Sequence, residues 1–430
     1  MYTYNKVVLP NGIRAVFIEM PHIHSVVLSG YINMGFRYEA ENKPGISHFL
    51  EHMLFRGARH FNNSFELLQA IDSIGGESDA YASPEYSAVT IQVHKKYVEQ
   101  GLQILGDIIL GGNFKQEDIE IEKRIIHEEM KQFVDVKGKY VCLDDLSYCL
   151  MWKDGSGKKP LFGDEKTITA LTIDDLNAYY KKFFVPDNIV ICVSGNFKKE
   201  QVSRYIHEVF GGLQGRFKGK KLPLKTAQAE PKYLFIKSPS RTTSFKLCHK
   251  AYPYKHKNVI IMFLLADVLG GGISSRLLLN IREKLGLVYE ITCYPTMFSD
   301  VGSLDIYTSA KKGNFEKTMQ AVMDEIRKLC NEGITEQELK RTEKRVFSQM
   351  QLVMDSPLSM ANWFGIEELL LRSEIPDTPE KQAKKIHDIR PDDVQKAISD
   401  IFIPEKRNLI VVGDYTRTNR THTIRMIHEV

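Results

Sequence analysis

His48, Glu51 and His52 fall in one short run, His-Phe-Leu-Glu-His. On a helix, residues four apart lie one above the other, so both imidazoles project from one face, and Glu51 stays in the same sector. Two neutral imidazoles and an adjacent carboxylate are what one helix must supply to a catalytic zinc: two nitrogen ligands and a general base for the water. The order reverses the commoner His-Glu-x-x-His. Helical context is available: Pro44-Gly45 marks a turn, Ser47 is a candidate N-cap, and Phe49, Leu50, Met53 and Leu54 form an apolar stripe. A pair of surface histidines on an amphipathic helix is the competing reading, and a third ligand decides between the two.

The stretch from Gln116 to Phe133 reads as a helix, with Ile119, Ile121, Ile125, Ile126 and Phe133 as its apolar residues. Glu122 and Glu129 are seven apart on it and share a face. Glu129 has Ile125, Ile126 and Phe133 as helical neighbours, and a carboxylate among apolar groups needs a cation. Glu128 has Arg124 and Lys131 beside it, which suits a solvated acid. Glu129 is therefore the expected third ligand. Glu122 is expected to orient a ligand or water from behind; a half-buried salt bridge to a lysine is its other reading.

With these residues placed, the sequence resembles the family of pitrilysin, insulin-degrading enzyme and mitochondrial processing peptidase, whose motif is the inverted His-x-x-Glu-His. His48, Glu51 and His52 match that motif, Glu129 follows His52 after 76 intervening residues, and Glu122-Lys-Arg-Ile-Ile-His-Glu-Glu129 matches the family's acidic helix. The resemblance covers essentially the whole chain. It implies zinc held by His48, His52 and Glu129, Glu51 as base and Glu122 as support. It also implies an α+β fold of two homologous α/β-sandwich domains. Each has an antiparallel-rich sheet backed by helices, and the two face one another across a cavity.

At 430 residues the chain is too long for one ordinary core, so two domains are expected. They show as an internal repeat. Thr172-Ile-Asp-Asp-Leu through Phe197 matches Arg390-Pro-Asp-Asp-Val through Tyr415 without a gap, and Pro186 to Pro404 and Gly195 to Gly413 are both offset by 218. Each copy reads as a capped helix, a proline break and a buried strand ending at glycine. Residues 212–232 are polar, basic and glycine-bearing, a linker composition. The expected division is 1–211 for the zinc-binding domain, 212–232 for the linker and 233–430 for a second domain. In that domain the corresponding helix, Val259 to Gly270, carries no histidine, so one zinc per chain is expected.

The net charge of +4 and the absence of a basic stripe with interleaved aromatics argue against nucleic acid or an anionic membrane as partner. No run of 18 apolar residues appears, so no membrane span is expected. The six cysteines form no Cys-x-x-Cys pair and read as small core residues. The start of the sequence lacks the apolar run of a signal peptide, and a reducing, cytoplasmic setting is expected.

Two further stretches bear on substrate. Asp79-Ala80-Tyr81-Ala82 leads into Ser87 to Val93, which reads as a strand; an exposed edge here would bind an extended peptide through main-chain hydrogen bonds, while an ordinary hairpin strand is the other reading. Family members usually carry Asn-Ala-aromatic-Thr at this place, so Asp79 is a departure. Gly270-Gly-Gly-Ile-Ser-Ser275 lacks a following Gly-Lys-Ser/Thr, so its glycines shape a loop rather than a nucleotide site. Downstream, Arg282 and Tyr289 match the family's Arg, six residues, Tyr. The resemblance implies that Arg282 holds a substrate carbonyl and Tyr289 steadies the oxyanion. The function expected is a zinc-dependent endopeptidase acting on peptides or a precursor peptide. It also implies a homodimer, or a heterodimer with a related subunit. The alternative is a non-catalytic or partner-dependent processing or assembly subunit of the same fold.

Overall fold

Ile189-Val-Ile-Cys-Val-Ser-Gly195 is buried along its whole length, as a strand covered on both faces must be. The structure, a computed structural model, describes residues 2–152, 162–224 and 226–429. Within them the chain divides into two compact units, each built around one sheet.

The first unit comprises residues 1–129, 161–223 and 352–378. Its strands are β1 (Thr3–Val8), β2 (Arg14–Glu19), β3 (Ser25–Ile32), β4 (Glu77–Ala82), β5 (Ser87–His94) and β6 (Ile189–Gly195), in the order β1-β2-β6-β3-β5-β4. Only β2 and β6 run parallel. The helix Val98–Ile109 covers one face so closely that a Cβ at Gly30 would come 2.2 Å from Ile109 Cδ1. On the other face Val16, Val27, Tyr31, Val190 and Cys192 pack against Met360, Ala361 and Phe364 of the helix Pro357–Leu371. The contact is pinned by Arg14, whose guanidinium donates to the Glu368 carbonyl at 2.9 Å, and by Lys6, 2.9 Å from the Glu368 carboxylate.

The second unit comprises residues 130–160, 224–351 and 379–430. Its strands are β7 (Lys232–Lys237), β8 (Thr242–Ala251), β9 (Val288–Met297), β10 (Gly302–Lys311) and β11 (Arg407–Gly413), ordered β7-β11-β8-β10-β9. Again one pair, β7 and β11, is parallel. The main core lies between this sheet and the helices Val259–Ala266, Phe315–Glu332 and Pro391–Ile401. The helix Leu143–Trp152 packs on β11, β8 and β7, with Lys246 reaching Asp144 at 2.8 Å. The units are thus not contiguous stretches of sequence. A helix from the first half of the chain belongs to the second unit, and one from the second half belongs to the first.

The internal repeat is structural. The helix Ile173–Phe183, the turn Pro186–Asn188 and β6 recur 218 residues on as Pro391–Ile401, Pro404–Lys406 and β11. Both copies end at a glycine with positive φ, 132° at Gly195 and 143° at Gly413. A Cβ would come 2.3 Å from the Ser25 carbonyl at the first and 2.6 Å from the Thr242 carbonyl at the second, so each position requires glycine.

Residues 212–231 carry no helix or strand among the described residues and are exposed at most positions, but side-chain contacts anchor them. Arg37, buried against Glu85 at 2.6 Å, also donates to the Leu222 carbonyl, and Lys221 reaches Glu85 at 3.0 Å. A buried ion pair has donor and acceptor capacity to spare, and this stretch fills it. All six cysteines are free thiols. Among the described residues no helix is long and apolar enough to cross a membrane.

Candidate metal centre

The helix Ile46–Leu54 carries the His-x-x-Glu-His run and begins differently from expectation. Its N-cap is Gly45, with φ 88°, and Ser47 lies inside the first turn. A Cβ at Gly45 would come 2.3 Å from the Phe162 carbonyl, so the entry is closed to other residues. The first-turn donors are satisfied from a distance: Glu39 accepts from the Gly45 and Ser47 amides at 2.9 Å each. The Ser47 hydroxyl is 2.8 Å from that of Tyr179 on the helix Ile173–Phe183. Phe49, Leu50, Met53 and Leu54 are buried, which turns His48 and His52 together toward the helix Gln116–Met130. That helix ends three residues earlier than its pattern suggests, and Lys131–Phe133 follow as a 3-10 turn.

The two Nε2 atoms lie 3.3 Å apart, and Glu129 Oε2 is 3.5 Å from each. Among the described residues this is the one group of His, Cys, Asp and Glu with the spacing to hold a metal ion. A tetrahedral zinc with bonds of about 2.0–2.1 Å spaces its donors about 3.3–3.4 Å apart. The triangle formed by His48, His52 and Glu129 therefore has the edges of one face of that tetrahedron, and the donor set fits the ion. Glu128, one residue before Glu129, is exposed.

Glu122 stands behind His52, with Oε2 at 3.1 Å from Nδ1. Its other oxygen accepts from Arg56 Nε at 2.6 Å. This pairs Nδ1–H with Glu122, so the ring presents its Nε2 lone pair forward once an ion takes the place of the second proton. His48 is held by packing instead. Its Nδ1 is buried with no hydrogen-bond partner among the described residues, and its ring meets Phe162 edge-on at 4.8 Å.

The electrostatics separate the two imidazoles. Burial, then the His52 charge, hold His48 down at about 4, so its ring is neutral. Burial also works against the His52 cation, but hydrogen bonds to Glu122 and Glu129 outweigh it and raise the group to about 10. The same bonds keep both carboxylates ionised, against burial. Burial lifts Glu51 to about 7, with Glu129, Asp79 and Glu122 adding and His52 opposing. Among the described residues no hydrogen bond or ion pair ties the Glu51 carboxylate down. A carboxyl at that value exchanges protons readily near neutrality.

Asp79, Ala80 and Tyr81 lie in β4, which is itself a strand and the sheet edge; β5, the strand read from the sequence, is internal. Glu77 and Asp79 are exposed on it, and the helix Ile46–Leu54 packs against β4. Arg282 and Tyr289 belong to the second unit. The segment Leu278–Lys284 stops before Gly286, whose φ is 60°, and Tyr289 follows in β9, an edge strand. The Arg282 guanidinium sits 5.5 Å from the centroid of the Tyr289 ring. Gly270 packs against β9, where a Cβ would come 2.4 Å from the Cys293 nitrogen, so this glycine serves helix–strand contact.

Glu39, Arg56 and Tyr179 did not emerge from the sequence. Arg56, four residues after His52, had a local signal in that spacing; Glu39 and Tyr179 had none.

The sequence model for insulinase (peptidase family M16) matches residues 14–164, and that for the peptidase M16 inactive domain matches residues 170–346. The chain is 29% identical over 365 residues to an uncharacterized zinc protease of Bacillus subtilis, covering 84% of this chain and 87% of that one. It is 26% identical over 417 residues to an uncharacterized zinc protease of Streptomyces coelicolor, covering 96% and 90%. In structure it superposes on a protease from Helicobacter pylori with a TM-score of 0.88 at 17% identity, covering 96% of this chain and all of that one. A chain of complex III2 from Candida albicans gives a TM-score of 0.80 at 16% identity, covering 98% and 99%. At these identities the structural matches speak to the fold.

Proposed function

The chain belongs to peptidase family M16, the pitrilysin-like or insulinase family, in its short two-domain form, and from that premise we propose that it is a zinc-dependent endopeptidase. The observation that carries this reading is the convergence of His48 Nε2, His52 Nε2 and Glu129 Oε2 at 3.3–3.5 Å, one helical position from Glu51.

His48, His52 and Glu129 would hold the ion. Zinc, when bound, polarises a substrate carbonyl and acidifies a water. Glu51 accepts the proton of the attacking water and returns it to the leaving amine, a shuttle suited to a carboxyl poised near 7. Glu122 keeps the His52 ring in its ligating tautomer. The open edge of β4 receives an extended peptide as an added strand, which favours unfolded chains and tolerates varied sequence. Arg282 binds substrate and Tyr289 donates to the developing oxyanion. The same reading gives a dimer, with a second copy or a related chain, which sedimentation analysis would detect.

A non-catalytic subunit of the same fold has no need of a base beside the ligands, so the complete set with Glu51 favours catalysis. The test is cleavage of an internally quenched peptide library. Activity should disappear on chelation and return with zinc. A purified chain that binds zinc but cleaves no unfolded peptide would favour the assembly role.

A further inference from the structure

Arg56 lies just beyond the helix Ile46–Leu54, yet its side chain turns back toward the site. Nε donates to Glu122 Oε1 at 2.6 Å, and one terminal nitrogen donates to the Ser64 hydroxyl at 3.0 Å. Ser64 opens the helix Ser64–Ser73, which Asn63 caps by accepting from the Glu66 amide. An unbroken chain of side-chain contacts therefore runs from Ser64 through Arg56 and Glu122 to His52 and its forward-facing Nε2.

The segment presenting Arg56 is fixed on both sides. The Gly57 amide closes onto the Met53 carbonyl at 3.0 Å, and the Arg59 amide donates to the Asp107 carbonyl at 2.9 Å. His60 Nδ1 meets the buried Asp107 carboxylate at 2.6 Å, and Gln103 donates to the same oxygen at 3.1 Å. Gly57 packs against Phe114, where a Cβ would come 2.7 Å from the ring. A guanidinium carried on so constrained a loop is preorganised, and its planar fork sets direction as well as charge.

Resting on the zinc-peptidase reading above, we propose that Arg56 is a positioning residue for the metal centre: it clamps Glu122 in the orientation that aims His52 Nε2 at the ion, with Ser64 anchoring the far end of the guanidinium. The charges agree. Glu122 is buried, and Arg56 is the permanent cation at its second oxygen, the one not turned to His52. Without it Glu122 would be buried against His52 alone, free to rotate and without its cation.

The test is zinc affinity, measured by competition with a chromophoric chelator on the full chain, alongside urea unfolding without metal. Loss of a group behind a metal ligand characteristically weakens binding about 10–100-fold. Arg56→Ala should show that loss while remaining folded, with its unfolding midpoint lowered because the buried Glu122 loses its partner. Arg56→Lys should recover part of the affinity, and Ser64→Ala should lose a smaller part. In the cobalt-loaded protein the visible ligand-field bands should shift in Arg56→Ala, reporting a reoriented imidazole. Wild-type affinity in Arg56→Ala would overturn the proposal and leave the zinc reading intact; a wild-type chain that binds no zinc would overturn both. Should Arg56→Ala fail to fold, wild-type affinity in both Arg56→Lys and Ser64→Ala would overturn it.

Discussion

Glu128 and Glu129 are adjacent in sequence and face different surroundings: Glu129 Oε2 stands 3.5 Å from two imidazole nitrogens, and Glu128 is exposed. Identical side chains one position apart make a clean internal control. Glu129→Gln should lose most of the bound zinc in the protein as purified, because a neutral amide oxygen is a poor replacement for a carboxylate ligand. Glu128→Gln should keep it. Atomic absorption on both variants checks the pair, and zinc retained in Glu129→Gln but lost in Glu128→Gln would exchange their roles.

Glu51→Gln separates ligation from proton transfer. The amide keeps size and shape but accepts no proton, so turnover should fall by about two to four orders of magnitude. Zinc content should remain that of the wild type, since Glu51 lies outside the triangle of donors. Near-normal turnover in this variant would remove Glu51 from the mechanism.

Why these residues were legible follows from how local their signals are. His48, Glu51 and His52 share a helical face by spacing alone, and Glu122 and Glu129 share theirs by the same rule. The apolar flank of Glu129 is only partly buried: Ile126 is inside, but Ile125 is 41% exposed. The 218-residue repeat reached atomic detail, down to two glycines in the same unusual backbone conformation. The exchange of the helices Leu143–Trp152 and Pro357–Leu371 between units left no such trace. An apolar helix announces that it must be buried, not which sheet it will cover. The N-terminus of the zinc-motif helix was illegible for a related reason. Ser47 has the chemistry of a cap, but Glu39 reached the amides first through a turn that only tertiary packing defines.

Tyr289 and Arg282 can be tested against each other. Tyr289 is 86% exposed, with the Arg282 guanidinium over its ring. Tyr289→Phe keeps the ring and removes the hydroxyl, so kcat should fall about tenfold to a thousandfold while KM and zinc content hold. Arg282→Ala should raise KM more than it lowers kcat. Steady-state kinetics on an unfolded peptide distinguish the two, and wild-type constants in both variants would confine the chemistry to the first unit.

His249 gives the second unit a pH-dependent stability. It is fully buried in β8, its ring 4.8 Å from that of Phe402. Burial, then the charge of Arg407, hold its pKa down to about 3, and neither ring nitrogen has a hydrogen-bond partner among the described residues. In the unfolded chain the same imidazole titrates near 6.5. Between those values the unfolded state binds a proton that the folded state refuses. The stability is therefore fully present above about 6.5 and is lost progressively as pH falls toward 3. At pH 5 the loss from this one group is about 2 kcal/mol, from about 1.4 kcal/mol per pH unit over 1.5 units. His249→Gln carries no titrating ring, so its stability should fall by about 2 kcal/mol less than that of the wild type between pH 7 and pH 5. Urea unfolding of the full chain at the two pH values measures that difference, and parallel losses in wild type and variant would mean that His249 is protonated without cost in the folded protein.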